Sequence, residues 1–131
     1  MKVLVDSDFL VGLFREGDAH HLNSLNLLKK ETRAGSGLFV SNLVLFETAT
    51  VLAHRVNMDA VRLFYNRLPK LKLKQISIDE GLENKSWEIF LKQTKKGCSF
   101  VDCSNLAAVE IYKFDGILSF DKFYPKSLKK G

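Results

Sequence analysis

Cysteine, proline, methionine and tryptophan are scarce: the 131 residues hold two, two, two and one of them. Two thiols, Cys98 and Cys103, are too few for a disulfide framework. Their C-x-x-x-x-C spacing, with no histidine nearby, is no zinc knuckle either. They read as reduced thiols of a cytoplasmic protein. Long apolar runs are also missing. Stretches such as residues 43–46 are a handful of residues long and cannot span a bilayer. The first apolar run is broken by Asp6 and Asp8, which excludes a secretory signal there. No linker, repeat or low-complexity tract divides the chain. A single domain over residues 1–131 is therefore expected, and with 46% apolar residues it can fill a core without a staple.

The net charge of +5 is uneven. Residues 1–65 carry seven basic and seven acidic side chains, and residues 66–131 carry thirteen and eight. A basic half suits a polyanionic partner, nucleic acid being the commonest, although scattered lysine is by itself only solvated surface.

Short apolar runs alternate with helical patterns. Lys2-Val3-Leu4-Val5 reads as a buried strand ending at Asp6. Ser7 or Asp8 can cap a helix from Phe9 towards Gly17, and a second helix is expected over residues 18–33. Leu38-Phe39-Val40 reads as a strand, with Ser41 and Asn42 as N-caps of a helix over residues 43–56. Residues 59–68 form a further helix, stopped before Pro69. Residues 71–78 alternate leucine with lysine, as an edge strand does. Helices are expected over residues 79–96 and 99–112, then a strand at Ile117-Leu118-Ser119-Phe120 and another at Phe123-Tyr124. The class is α/β with a mostly parallel sheet, whose ligands gather outside the carboxyl ends of the strands.

Four carboxylates fall where that rule directs attention. Asp6 and Asp121 directly follow strands, and each alone reads as a cap or turn residue. Glu47 sits on a helix with Leu43 and Val44 one turn before it and Val51 one turn after it. A carboxylate in such a stripe needs a partner: an Arg or Lys, a capping group or a metal. Asp102 stands three residues after Ser99, which is either a capping box or a ligand position in the first helical turn. Together the four carry −4, which two Mg²⁺ or Mn²⁺ ions would balance through oxygen ligands. Such a pair activates water and stabilises the leaving oxygen of a phosphodiester. The basic half would hold the phosphate backbone.

These residues carry a resemblance. Val3-Leu4-Val5-Asp6-Ser7-Asp8-Phe9-Leu10, Val40-Ser41-Asn42-Leu43-Val44-Leu45-Phe46-Glu47, Ser99-Phe100-Val101-Asp102 and Ile117-Leu118-Ser119-Phe120-Asp121-Lys122-Phe123 occur in the order and spacing of PIN-domain proteins. More closely, they resemble the stand-alone VapC-type toxins of toxin–antitoxin pairs. The resemblance implies a three-layer α/β/α fold with a parallel sheet of about five strands. It implies an endoribonuclease that hydrolyses RNA with metal-activated water, Mg²⁺ or Mn²⁺ being the cofactor. A non-cleaving PIN-like module that binds RNA or a protein is the alternative. Asp6, Glu47, Asp102 and Asp121 fall on the family's acidic quartet, as catalytic and metal residues. Ser7 and Ser119 fall in supporting places, and Lys122 and Lys126 are candidate RNA contacts. Asp8 stands where many members have Asn; it either adds a fifth carboxylate or caps the helix. The implied partners are RNA, an antitoxin protein and a second copy of the chain. A groove lined by Phe9, Phe14 and Phe46 would receive the antitoxin.

Other features have plain readings. His20 and His21 diverge on a helix start and read as solvated. Trp87, Phe90 and Leu91 read as a core stripe, and the lysines at 126, 129 and 130 as a frayed tail or as RNA contacts.

Overall fold

The computed structural model describes residues 1–94 and 96–130. Strand β1 (Lys2–Val5) leads into α1 (Ser7–Phe14) and α2 (His21–Arg33), and β2 (Gly37–Ser41) into α3 (Asn42–Arg55) and α4 (Met58–Arg67). A 3₁₀ turn at Leu68–Leu71 precedes β3 (Lys74–Ile76), and then come α5 (Glu80–Leu91), α6 (Phe100–Tyr112) and β4 (Gly116–Leu118). All strand pairs are parallel, in the order β3-β2-β1-β4.

β1 lies inside the sheet with Val3, Leu4 and Val5 fully buried, as an unbroken β-branched run predicts. Its side chains alternate between two cores. Val3 and Val5 pack with Phe9, Leu10, Val44, Leu52 and Phe64 from α1, α3 and α4. Leu4 packs on the opposite face with Leu82, Ala107, Ala108, Phe114 and Ile117. The sheet is thus the middle of three layers, α1 and α3–α4 on one face and α5–α6 on the other.

Several boundaries differ from expectation. The described residues hold four strands rather than about five. Phe123-Tyr124 forms no strand; the outer edge of β4 is taken by the chain's last residues. Ile117 N–H donates to Leu128 O at 2.8 Å, Lys130 N–H to Ile117 O at 2.9 Å, and Lys129 makes a single parallel bridge to Ile117. Gly116 permits this approach. A β-carbon there would lie 2.8 Å from Lys130 Cε and 3.0 Å from Leu128 O. The terminal lysines are therefore docked rather than frayed.

The expected strand over 71–78 shrinks to three residues. Pro69 opens the 3₁₀ turn, and Lys72 takes a left-handed φ of 54°. α2 starts at His21, because Asp18 turns the chain through hydrogen bonds to the backbone of His20 and His21. α5 stops at Leu91. It buries Leu82 and Ser86, whereas Trp87 is 46% and Leu91 76% exposed, so the aromatic stripe is not core. No disulfide joins Cys98 to Cys103, and burial pushes the Cys103 thiol up to about 11, which leaves it an inert packing group. Among the described residues no helix is long and apolar enough to cross a membrane.

Candidate active site

The carboxyl ends of β1 and β4 adjoin, and Asp6 N–H continues their pairing with a 3.0 Å bond to Leu118 O. Asp6 and Ser119, each one residue past its strand, therefore meet. Ser119 Oγ donates to Asp6 Oδ2 at 2.8 Å. Asp6 Oδ1 accepts from Ser7 N–H at 2.8 Å and from Asn105 Nδ2 at 3.1 Å. Asp6 is thus the N-cap of α1, a place expected for Ser7 or Asp8. Its capping uses one oxygen edge and still faces the sheet rim.

Asp8, two residues further on, accepts from Phe120 N–H at 3.0 Å and lies 3.3 Å from Ser119 Oγ. Ser119 Oγ also accepts from Asp121 N–H at 3.0 Å, so one hydroxyl ties Asp6, Asp8 and the backbone of Asp121 together. Asp121 Oδ1 accepts from Phe123 N–H at 2.9 Å and shapes the turn after β4.

Asp102 realises the capping reading of its position. Its Oδ2 accepts from Ser99 N–H at 3.1 Å while Ser99 Oγ accepts from Asp102 N–H at 3.0 Å, a reciprocal capping box. Its other oxygen accepts from the Tyr124 hydroxyl at 3.4 Å. Asn105 Nδ2 in turn donates to Tyr124 Oη at 2.9 Å as well as to Asp6. Asn105 and Tyr124 are buried, and their chain of donors couples Asp6 to Asp102.

Glu47 is half-buried, and its partner is neither Arg nor Lys: Ser7 Oγ donates to its Oε2 at 2.6 Å. Ser7, next to Asp6, thereby fastens α3 to the start of α1. The structure thus brings Asp6, Asp102 and Glu47 into one hydrogen-bonded network, with Asp121 joined to it through its main chain.

The acids strain one another. Burial, and then the Asp8 charge, push the Asp6 carboxyl up to about 7. Burial pushes Asp8 up to about 6, with repulsion from Asp121 adding to it. Burial also raises Asp102, again with a contribution from Asp121. Tyr124 is raised far above the phenol range by burial and by the charge of Asp6, so it stays a hydroxyl donor. Among the described residues, the ion pairs join Arg62 to Asp59, Lys85 to Glu88 and Glu110, and Lys92 to Glu88, all outside this group.

Two cavities flank the acids. One of about 380 Å³ has Asp8, Glu47, His20, Arg55 and Phe120 on its walls. The other, about 460 Å³, has Asp102, Asp121, Lys96 and Lys122. Lys122 therefore faces the site, while Lys126 is exposed outside that wall. Of the phenylalanines expected along a groove, Phe9 is buried and Phe14 packs edge-on against Phe64, so only Phe46, 62% exposed, is open.

A hard divalent cation fits the chemistry of this donor set. Every donor is a carboxylate or hydroxyl oxygen, and negative charge crowds a buried rim without a compensating ion pair among the described residues. As the side chains are placed, no three acid, histidine or cysteine groups among the described residues bracket a common point. Their oxygens are turned to Ser119, Asn105, Tyr124 and backbone N–H groups instead.

Three participants escaped the sequence reading, while Asp8 stood in it with an open role. Asn105 lies one turn after Asp102 on the same helix face, and a polar side chain among buried alanines was the signal available. Tyr124 gave no signal beyond its place three residues after Asp121. His20 is not merely solvated: its ring stacks on Phe120 at 4.1 Å and 8°.

Comparison with known proteins agrees with this architecture. The chain is 28% identical over 123 residues to a VapC ribonuclease of Archaeoglobus fulgidus, covering 92% of this chain and 78% of the relative. It is 28% identical over 127 residues to the 23S rRNA-specific endonuclease VapC20 of Mycobacterium tuberculosis, covering 89% and 92%. The crystal structure of VapC20, a sarcin–ricin loop cleaving toxin, superposes with a TM-score of 0.79 at 24% identity over 92% of this chain and 91% of that one. VapBC2 from Rickettsia felis, bound to a DNA fragment from its promoter, superposes with a TM-score of 0.69 at 13% identity, covering 99% and 98%. The sequence model of the PIN domain matches residues 3–126. With nearly all of its length inside that match and its acids gathered at the sheet rim, the chain belongs to the PIN domain family.

Proposed function

We propose that this chain is a divalent-metal-dependent endoribonuclease, a single PIN domain acting in the cytoplasm as the toxin of a toxin–antitoxin pair. The observation that carries it is the network just described, in which acids from β1–α1, α3, α6 and the turn after β4 share one rim. Relatives that are ribonuclease toxins, and a fold neighbour solved as VapBC2, support the substrate class and an antitoxin partner. Self-association is the remaining expectation.

Asp6 and Asp102 would hold the principal ion, with Glu47 and Asp121 completing the site and Asp8 as a fifth carboxylate. Bound Mg²⁺ or Mn²⁺ supplies Lewis acidity, which acidifies an attacking water and neutralises the leaving oxygen of the phosphodiester. The protein's share is positional. Ser119 bridges Asp6 and Asp8 through one shared hydroxyl and fixes the turn carrying Asp121. Asn105 and Tyr124 donate towards Asp6 and Asp102, so both are kept as acceptors facing the rim. Ser7 holds Glu47 in register. Lys96 and Lys122 beside Asp102 and Asp121 offer cations to the RNA backbone.

The test is incubation of purified protein with total RNA in Mn²⁺, in Mg²⁺ and in EDTA, beside Asp102→Asn. Discrete cleavage that EDTA and the variant both abolish is expected. Absence of cleavage and of calorimetric Mn²⁺ binding would establish the non-cleaving RNA- or protein-binding module instead.

A further inference from the structure

His20 and Phe120 form a wall common to two cavities of opposite character. On one side are Asp8 and Glu47. On the other, a groove of about 380 Å³ is lined by Asn23, Lys30, Lys129 and Lys130, and no acid lines it. We propose that His20 is a nucleobase platform and that this groove carries the phosphates of the single-stranded RNA leaving the acidic rim. The proposal rests on the ribonuclease reading and names where its substrate runs.

Three observations support it. First, the platform is built into the fold. The exposed His20 ring lies parallel on Phe120, which stacks in turn at 6.3 Å on the buried Phe9. Unpaired bases recognise flat, anchored rings of this kind. Second, the platform adjoins the chemistry, since Phe120 N–H is the donor to Asp8. A base seated on His20 is thus next to a phosphate over the acids. Third, one of these lysines, Lys129, is held in place. Lys129 Nζ donates to Asp121 O at 3.2 Å, and the backbone around it is bonded to Ile117. A cation fixed beforehand loses less freedom on meeting a phosphate.

The groove is tested by fluorescence anisotropy of a labelled 12-nucleotide single-stranded RNA in EDTA, where no cleavage occurs. His20→Ala should weaken binding roughly 5- to 150-fold, the range for losing one base–aromatic stack, and His20→Phe should restore it. Lys30→Ala combined with Lys129→Ala should flatten the dependence of log K on log salt by about 1.4, two phosphates' worth on a single strand. With Mn²⁺ present, His20→Ala should raise KM and leave kcat unchanged. Binding by His20→Ala within twofold of wild type, or an unchanged salt slope in the lysine pair, overturns the proposal. Failure of the ribonuclease reading shows separately, as wild-type protein that cleaves no RNA in Mn²⁺.

Discussion

Replacing Asp6 by Asn should stabilise the metal-free protein at neutral and alkaline pH. Asp6 is almost completely buried, and its carboxyl is raised from 3.8 to about 7. The folded protein therefore holds a proton on Asp6 between those values where the unfolded chain does not. The cost of the buried charge is absent below the unfolded pKa, grows as pH rises, and is complete above about 7. At 1.36 kcal/mol per pH unit, the full rise corresponds to roughly 4 kcal/mol. Asp8 supplies part of that repulsion and relaxes when Asp6 is neutral, so roughly 2–4 kcal/mol is the expected gain at pH 8. Asn keeps the local bonds. Its oxygen can accept from Ser7 N–H and Asn105, and its amide can donate to Ser119 Oγ, whose hydrogen is then free to turn to Asp8.

The assay is thermal unfolding of wild type and Asp6→Asn in EDTA from pH 5 to 8.5. For a chain of this size, 2–4 kcal/mol corresponds to a Tm difference of roughly 6–20 °C at pH 8, shrinking towards pH 5. Taking the difference between the two proteins removes titrations they share. Mn²⁺ at pH 8 should raise the wild-type Tm and leave that of the variant nearly unmoved. A difference independent of pH, or a variant less stable throughout, would refute the reasoning. It would mean that Asp6 is ionised without strain and that its hydrogen bonds outweigh burial and the neighbouring acids.

Asp102→Asn should leave unfolding nearly unchanged and lower cleavage by more than the roughly 100-fold that loss of an outer-shell partner costs, measured on one RNA at saturating Mn²⁺. Tyr124→Phe removes one oxygen and leaves one Asn105 amide hydrogen without its acceptor, the other still reaching Asp6. A stability loss of about 1–2 kcal/mol in urea unfolding and a roughly tenfold weaker calorimetric Mn²⁺ affinity are expected. Gly116→Ala places a methyl against Leu128 O and Lys130, and should cost about 1–3 kcal/mol by forcing the terminal segment off β4. Amide exchange at Lys130, whose N–H is bonded to Ile117 O, should accelerate in that variant.

What the sequence made legible was local. β1 shows itself as a continuous apolar run, Ser41 and Ser99 as helix caps, and the alternation of elements as a parallel sheet, because each depends on residues within a few positions. The misreadings lie where two local patterns compete or where the deciding contact is distant. On α5, Leu82-Ser86-Ile89 and Trp87-Phe90-Leu91 both have helical spacing, and greater hydrophobicity favours the wrong one. The buried face includes a serine because Ser86 Oγ returns its hydrogen bond to Leu82 O within the helix. Trp87 instead clusters with Phe90 and Phe100 at the surface. The docking of the terminal lysines depends on β4 presenting its free edge, which no pattern near residue 129 announces.

The acids show the same division at closer range. Asp6, Asp102 and Asp121 each have a sufficient local explanation as cap or turn, and the structure grants every one of them. A cap uses only part of a carboxylate's accepting capacity. Asp102 spends Oδ2 on Ser99 and leaves Oδ1 facing Tyr124; Asp6 spends Oδ1 on Ser7 and turns Oδ2 to Ser119. Capping therefore fixes the rotamer and aims the second oxygen at a partner far along the chain, so a helix cap and a long-range contact are two uses of one side chain. The bonds that reveal this join residues 99 to 113 positions apart in the chain. Periodicity and spacing cannot reach across that distance, whereas a parallel sheet with its helices on both faces closes it.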